Sequence, residues 1–99
     1  MIDADIHPLA SQELEDAADF YEEQSPGLGP RFLNSVQKAI EQILLFPQSA
    51  SLIGKTLRQK PLSHFPYSLI YTLDGRRLFI VAIAHQKRES TYWKDRVSN

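Results

Sequence analysis

The chain has 99 residues, a hydrophobic fraction of 42% and a net charge of −1, which suit one small domain over residues 1–99 with a thin core. It holds no cysteine, which excludes disulfides, thiolate metal sites and a cysteine nucleophile, and suits a reducing compartment. The near-neutral total hides a segregation: residues 1–54 carry two basic side chains against nine acidic ones, and residues 55–99 carry nine against three.

An acidic side and a basic side are therefore expected in the fold, the latter steering toward anionic partners. The opening "MIDADIHPLA" carries two acids and no long apolar stretch, so it does not read as a signal peptide. No run approaches the ~18 apolar residues of a membrane span. The expectation is a soluble, cytoplasmic protein with no membrane partner.

In chain order, "DADIHPLA" predicts a short strand ending near Pro8. Ser11 resembles an N-cap, with Glu13, Glu15 and Asp16 favourable beside a helix N-terminus. Leu14, Ala17, Ala18 and Tyr21 recur at the spacing of one helical face, and "QSPGLGP" stops that helix. A second helix is expected with Gly29 as cap and Pro30 in its first turn, where the missing N–H costs nothing. Phe32, Leu33, Val36, Ala39, Ile40, Ile43 and Leu44 form its apolar stripe, and Pro47 ends it. The short connection predicts an antiparallel helical hairpin.

After a loose "QSASLIGK" the period changes. "TLRQKPL" reads as an edge strand, with Pro61 keeping it at the edge or at its end. "YSLIYTL" and "LFIVAIAH" are rich in β-branched and aromatic residues, and "LDGR" between them signals a two-residue hairpin. With Asp74 and Gly75 as the turn, Tyr71 would face Leu78, Leu69 would face Ile80 and Tyr67 would face Ala82. The same register would bring His85 opposite His64. The last strand, apolar on both faces, belongs inside the sheet. "STYWKDRV" is expected as a short terminal helix capped by Ser90, too short to persist unless docked. The first strand should pair with "TLRQKPL" or with the last strand. The fold class is α+β: an N-terminal strand and a helical hairpin packed on a small antiparallel sheet, with a short C-terminal helix.

The chemistry-bearing residues gather at the end, in "AIAHQKRESTYWKDR". Adjacent residues on a helix point ~100° apart, so Trp93 is expected in the core and Tyr92 facing outward. Arg88 and Arg96 stand at i and i+8 and could share a face. His85 reads as a strand-end imidazole bonded to backbone; a metal pair lacks a third ligand, with His7 remote. "PGLGP" lacks the Lys-Ser/Thr of a phosphate loop and is a turn. No metal and no cofactor is expected.

Taken together, "AADFYEEQSPGLGPRFLNSVQKAIEQI", "FP", "FPYSLIY" and "AIAHQKRESTYW" closely resemble the RelE/ParE superfamily of bacterial toxins. The words are weak singly and specific as an ordered set running from about Leu9 to Arg96. The resemblance implies the toxin of a type II toxin–antitoxin system, of plasmid-stabilisation type, held inactive by an antitoxin encoded beside it. ParE-like members block DNA gyrase; RelE-like members cut messenger RNA on the ribosome. Cleaving members carry arginines at positions matching Ser68 and near Gln86, and this chain has neither.

The expectation is thus a ParE-like toxin that binds and inhibits gyrase, with Lys87, Arg88, Tyr92 and Arg96 as the target-binding face. Those residue types dominate binding hot spots. The overall charge also favours gyrase over the ribosome, whose binders make many phosphate contacts. A ParD-like antitoxin is the expected partner, and DNA would be reached only through it. The alternatives are a ribosome-dependent mRNA endonuclease using His85 (or His64), Arg88 and Tyr92, or an inactive toxin-fold partner protein. For cleavage, those groups would have to move protons and stabilise charge on the phosphate.

Overall fold

A computed structural model describes residues 4–75, 77–88 and 92–97. Its elements run β1 (Ala4–Ile6), α1 (Pro8–Gln24), α2 (Leu28–Leu45), β2 (Ser51–Ile53), β3 (Leu57–Pro61), β4 (Tyr67–Asp74), β5 (Arg77–His85) and a single 3-10 turn, Lys94–Arg96. The sheet order is β1-β5-β4-β3-β2. The expected α+β architecture is present, with β5 inside the sheet and β1 beside it. The sheet is mixed, because β1 runs parallel to β5 while every other pairing is antiparallel. Among the described residues no helix is long and apolar enough to cross a membrane.

The first helix begins earlier than Ser11. Pro8 opens it, where a missing N–H is harmless, and His7 is the cap, its Nδ1 accepting from the Leu9 amide at 3.1 Å. The second helix is capped at Gly27, whose φ of 90° favours glycine, and not at Gly29. Glu22 accepts from the amides of Gly27 and Gly29 at 3.0 Å, placing a carboxylate at the positive end of α2. Gly29 lies inside the helix, where any Cβ would come within 2.9 Å of the Ala18 carbonyl. The hairpin closes on small residues for this reason: Ala17 and Ala18 of α1 lie buried against α2.

Phe32, Val36, Ala39 and Ile43 are buried with Leu69, Tyr71, Leu78, Ile80 and Ile83 in the core between hairpin and sheet. Leu33 and Leu44, assigned to the same stripe, lie outward with 43% and 37% exposure. The stripe is a narrow seam at spacings of three and four, so its flanking leucines fall at the rim. The loop after α2 is tied down by the Tyr71 hydroxyl, which donates to the Pro47 carbonyl at 3.0 Å, and by Arg58, which donates to Ala50 at 2.7 Å. It leads into β2, which the loose segment "QSASLIGK" did not reveal. This strand takes the sheet edge and leaves β3 internal, with Pro61 at its end.

The β4–β5 register differs from the expected one. Asp74 pairs with Arg77 and so belongs to the strand, not to the turn; Tyr71 meets Ile80, Leu69 meets Ile83 and Tyr67 meets His85. A β-bulge adds to the shift: Ile70 pairs with Ala82 and Tyr71 with Ile80, leaving Val81 as the extra residue. After the bulge the side chains of β5 change face, so Val81 and Ala82 both join a second core. That core covers the other side of the sheet with Ile70, Ala84 and Trp93. Trp93 is 2% exposed and is core, as expected. The terminal helix is reduced to the 3-10 turn, and its expected cap, Ser90, lies outside the described residues.

Candidate functional site

β1 stops at Ile6, opposite Ile80, because Pro8 has no N–H to continue a ladder and the chain turns into α1. Beyond Ile80, β5 has no strand on that side among the described residues, yet residues 81–84 are buried and their backbone groups need partners. Two side chains supply them. Glu13 Oε1 accepts from the Ile83 amide at 3.0 Å, and Arg96 Nη1 donates to the Val81 carbonyl at 3.2 Å. Glu13 and Arg96 also bind each other in a two-point pair, at 2.9 and 2.8 Å. This arrangement latches the C-terminal segment onto α1 and β5.

The pair is nearly dry: the Arg96 side chain is 9% exposed and that of Glu13 16%. Burial alone would raise the Glu13 carboxyl, but the hydrogen bonds from Arg96 and the Ile83 amide outweigh it and hold the group below the usual range. The hydrogen bond to Glu13 likewise raises the Arg96 guanidinium above its ordinary value.

Tyr92 lies between this pair and the surface. Arg88 places its guanidinium carbon 3.8 Å from the ring centroid and Arg96 places its own at 5.0 Å, both within cation–π range. The Tyr92 hydroxyl is buried near Glu13 without a hydrogen bond of acceptable geometry. Burial first, and the adjoining carboxylate second, push its pKa up to about 12. Arg88 stays open, with 57% of its side chain exposed and 4.0 Å from Glu13.

Beside this cluster, on the sheet face away from the helices, a cleft of about 310 Å³ is lined by Ser68, His85, Arg88, Trp93 and Lys94 among others. Ser68 is 1% exposed and meets only a long contact, 3.4 Å, from the Gln59 amide. His85 ends β5 with its Nδ1 accepting from the Lys87 amide at 3.0 Å, the backbone-bonded state read from its position. Its ring packs on Tyr67, and His64 is not its partner. Among the described residues no group of three or more His, Asp or Glu side chains is placed to hold a metal.

The four residues expected to meet a target thus take different places. Lys87 and Arg88 are exposed, Tyr92 is half-buried with its hydroxyl inward, and Arg96 is turned into the latch. Sequence reasoning did not find Glu13, which it read as an acid favourable near a helix start. A signal was available: Glu13 stands between Ala10 and Ala17 on the buried face of α1, and an acid there requires a cationic partner.

Residues 4–90 match the family described as the ParE toxin of type II toxin–antitoxin systems, parDE. No curated protein matches the chain. Among solved structures, a chain of the chromosomal ParDE toxin–antitoxin system from P. aeruginosa is similar at 22% identity and a TM-score of 0.60. The similarity covers 86% of this chain and 96% of that one, and it is a likeness of fold.

Proposed function

The chain belongs to the family of ParE toxins of type II toxin–antitoxin systems, and we propose that it acts by binding DNA gyrase, without catalytic turnover of its own. The observation that carries this reading is the inward phenol of Tyr92. Its hydroxyl is buried away from any substrate at the surface, and a pKa pushed up to about 12 keeps it from acting as a base near neutral pH. His85 has one ring nitrogen committed to backbone, and Ser68 stands buried where the cleaving relatives hold a cation. What is left at the surface is a gripping face: Lys87, Arg88 and the half-buried ring of Tyr92.

The cognate antitoxin is proposed to cover the chain with an amphipathic tail. Leu33 and Leu44 on α2, with Leu45 and Phe46 at its end, give such a tail apolar surface to bury, and its acids would reach the basic half. Apolar burial at ~25 cal/mol per Å² would supply most of the affinity, and charge would mainly raise the association rate. Purified full-length chain should inhibit gyrase supercoiling and leave messenger RNA on ribosomes uncut. RNA fragments that vanish with His85→Ala or Tyr92→Phe would overturn the binding mechanism in favour of endonuclease activity.

A further inference from the structure

A second concavity lies on the opposite side of the molecule, between α2 and the β3–β4 loop, with a volume of about 590 Å³. The first 54 residues contain only two cations, Arg31 and Lys38, against nine acids, and both line this groove. They stand seven residues apart on α2, on one face and about 10 Å apart along its axis. Asn34 lies between them on the same face, and Lys60 faces them from the end of β3. Among the described residues no acidic side chain lines the groove. Among the described residues none of the three cations makes an ion pair.

Chance does not readily collect every cation of an acidic half around a space free of carboxylates. Such walls focus positive potential into the groove. The opposite wall is also built rather than loose. The Ser35 hydroxyl donates to the Ser63 carbonyl at 3.1 Å, fixing the loop to α2. His64 lines the groove with a φ of 71°, a conformation uncommon for a residue with a side chain and one that clusters at ligand sites. Phe65 contributes apolar surface to the floor, its ring held edge-on against Tyr21 and Phe32.

We propose that this groove binds a nucleoside polyphosphate, with the phosphates held by Arg31, Lys38 and Lys60 and the base lying toward Phe65. The volume falls in the ~300–1,000 Å³ range of small-molecule sites. The spacing of the cations suits an extended anion better than a single phosphate ion. The apolar floor distinguishes a ligand with a ring from a bare polyanion. This site is independent of the C-terminal face and of the gyrase reading.

Titration calorimetry on the full-length chain tests it with four probes: ATP, adenosine, tripolyphosphate and a polyglutamate peptide. ATP is expected to bind, tripolyphosphate more weakly, and adenosine and the peptide not measurably. Arg31→Gln combined with Lys38→Gln should weaken ATP by about ten-fold or more, since each removes a charge-assisted contact. Lys55→Gln, away from the groove, should not. If the double variant melts early, Lys60→Gln alone should still weaken binding. Absence of ATP binding, equal binding of tripolyphosphate or polyglutamate, or an ATP affinity unmoved by these substitutions would each overturn the proposal.

Discussion

Replacing Glu13 by Gln separates the latch from everything else in the fold. The variant keeps the side-chain size but removes the negative charge, so Arg96, with 9% of its side chain exposed, loses its counter-ion. It also weakens the acceptor of the Ile83 amide at 3.0 Å. Removing one member of a buried pair costs ~3–5 kcal/mol, most of it from the charge left behind. The slight exposure of both partners places this one near the lower end, about 3 kcal/mol. For a chain of this size that corresponds to ~12–24 °C in Tm. The single tryptophan, Trp93, is buried in the latched segment, so its fluorescence reports the latch while far-ultraviolet dichroism reports the helical hairpin. In urea the fluorescence transition of Glu13→Gln should move to lower denaturant than the dichroism transition, as local release precedes global unfolding. Glu13→Leu with Arg96→Met should not recover the loss, because it removes the stranded charge but leaves the Ile83 amide and the Val81 carbonyl without partners, at ~1–3 kcal/mol each. A single variant within ~0.5 kcal/mol of the parent, the ordinary surface range, would refute the account of the latch. So would a double variant as stable as the parent.

Arg88→Ala should weaken the proposed gyrase inhibition by ~1–2 kcal/mol of binding energy with an unchanged melting curve, since the side chain is an exposed cation and not part of the core. Trp93→Ala should cost ~3–5 kcal/mol in urea unfolding, because the ring is 2% exposed in the second core. Gly29→Ala should destabilise by ~1–3 kcal/mol despite its better helix propensity, since the new methyl meets the Ala18 backbone carbonyl. The pH dependence has two limbs. Glu13, held below its ordinary pKa in the fold, contributes stability that is present above the unfolded value and lost as pH falls through the folded one. Tyr92, raised to about 12, contributes stability present below its unfolded value of 10.0 and lost as pH rises through the folded value. Glu13→Gln should flatten the acid limb of a urea-midpoint profile, and Tyr92→Phe the alkaline limb.

The helical hairpin was legible because its signals are local: an apolar seam, a Pro-Gly turn and a terminating proline. The two β-rich runs after it were legible for the same reason. What escaped the sequence was non-local. A glycine at 29 looks like a cap, and only the approach of α1 shows that it makes room for a neighbouring backbone. Asp74 looks like a turn residue but is paired in the strand, and the bulge at Val81 carries no residue signature, so the expected register is offset from the turn onward and shifts again beyond the bulge. β2 has three residues, too few for a period to emerge. The Glu13–Arg96 pair joins residues 83 apart in sequence, and each alone reads as an ordinary solvated charge. For the C-terminal cluster, composition located the region but not which side chains face outward.

That distinction follows from the unpaired edge of β5. Once β1 ends at Ile6, the edge needs one acceptor for the Ile83 amide and one donor for the Val81 carbonyl. A carboxylate and a guanidinium meet both needs, and each then needs the other to offset its own desolvation. Arg96 satisfies this because its fork can hold both oxygens of Glu13 and still reach the strand. Arg88, 4.0 Å from the same carboxylate, is outside hydrogen-bonding distance and largely in water. An exposed ion pair of that kind contributes only ~0–1 kcal/mol, so Arg88 can leave it for a partner at little expense to the fold. Arg96 cannot. One arginine closes the sheet and the other is free to bind, and the ring of Tyr92 lies within reach of both. A target that engages Arg88 therefore meets a surface whose orientation depends on Glu13. This is why Glu13→Gln should reduce the proposed inhibition of gyrase even though Glu13 itself is mostly hidden from any partner.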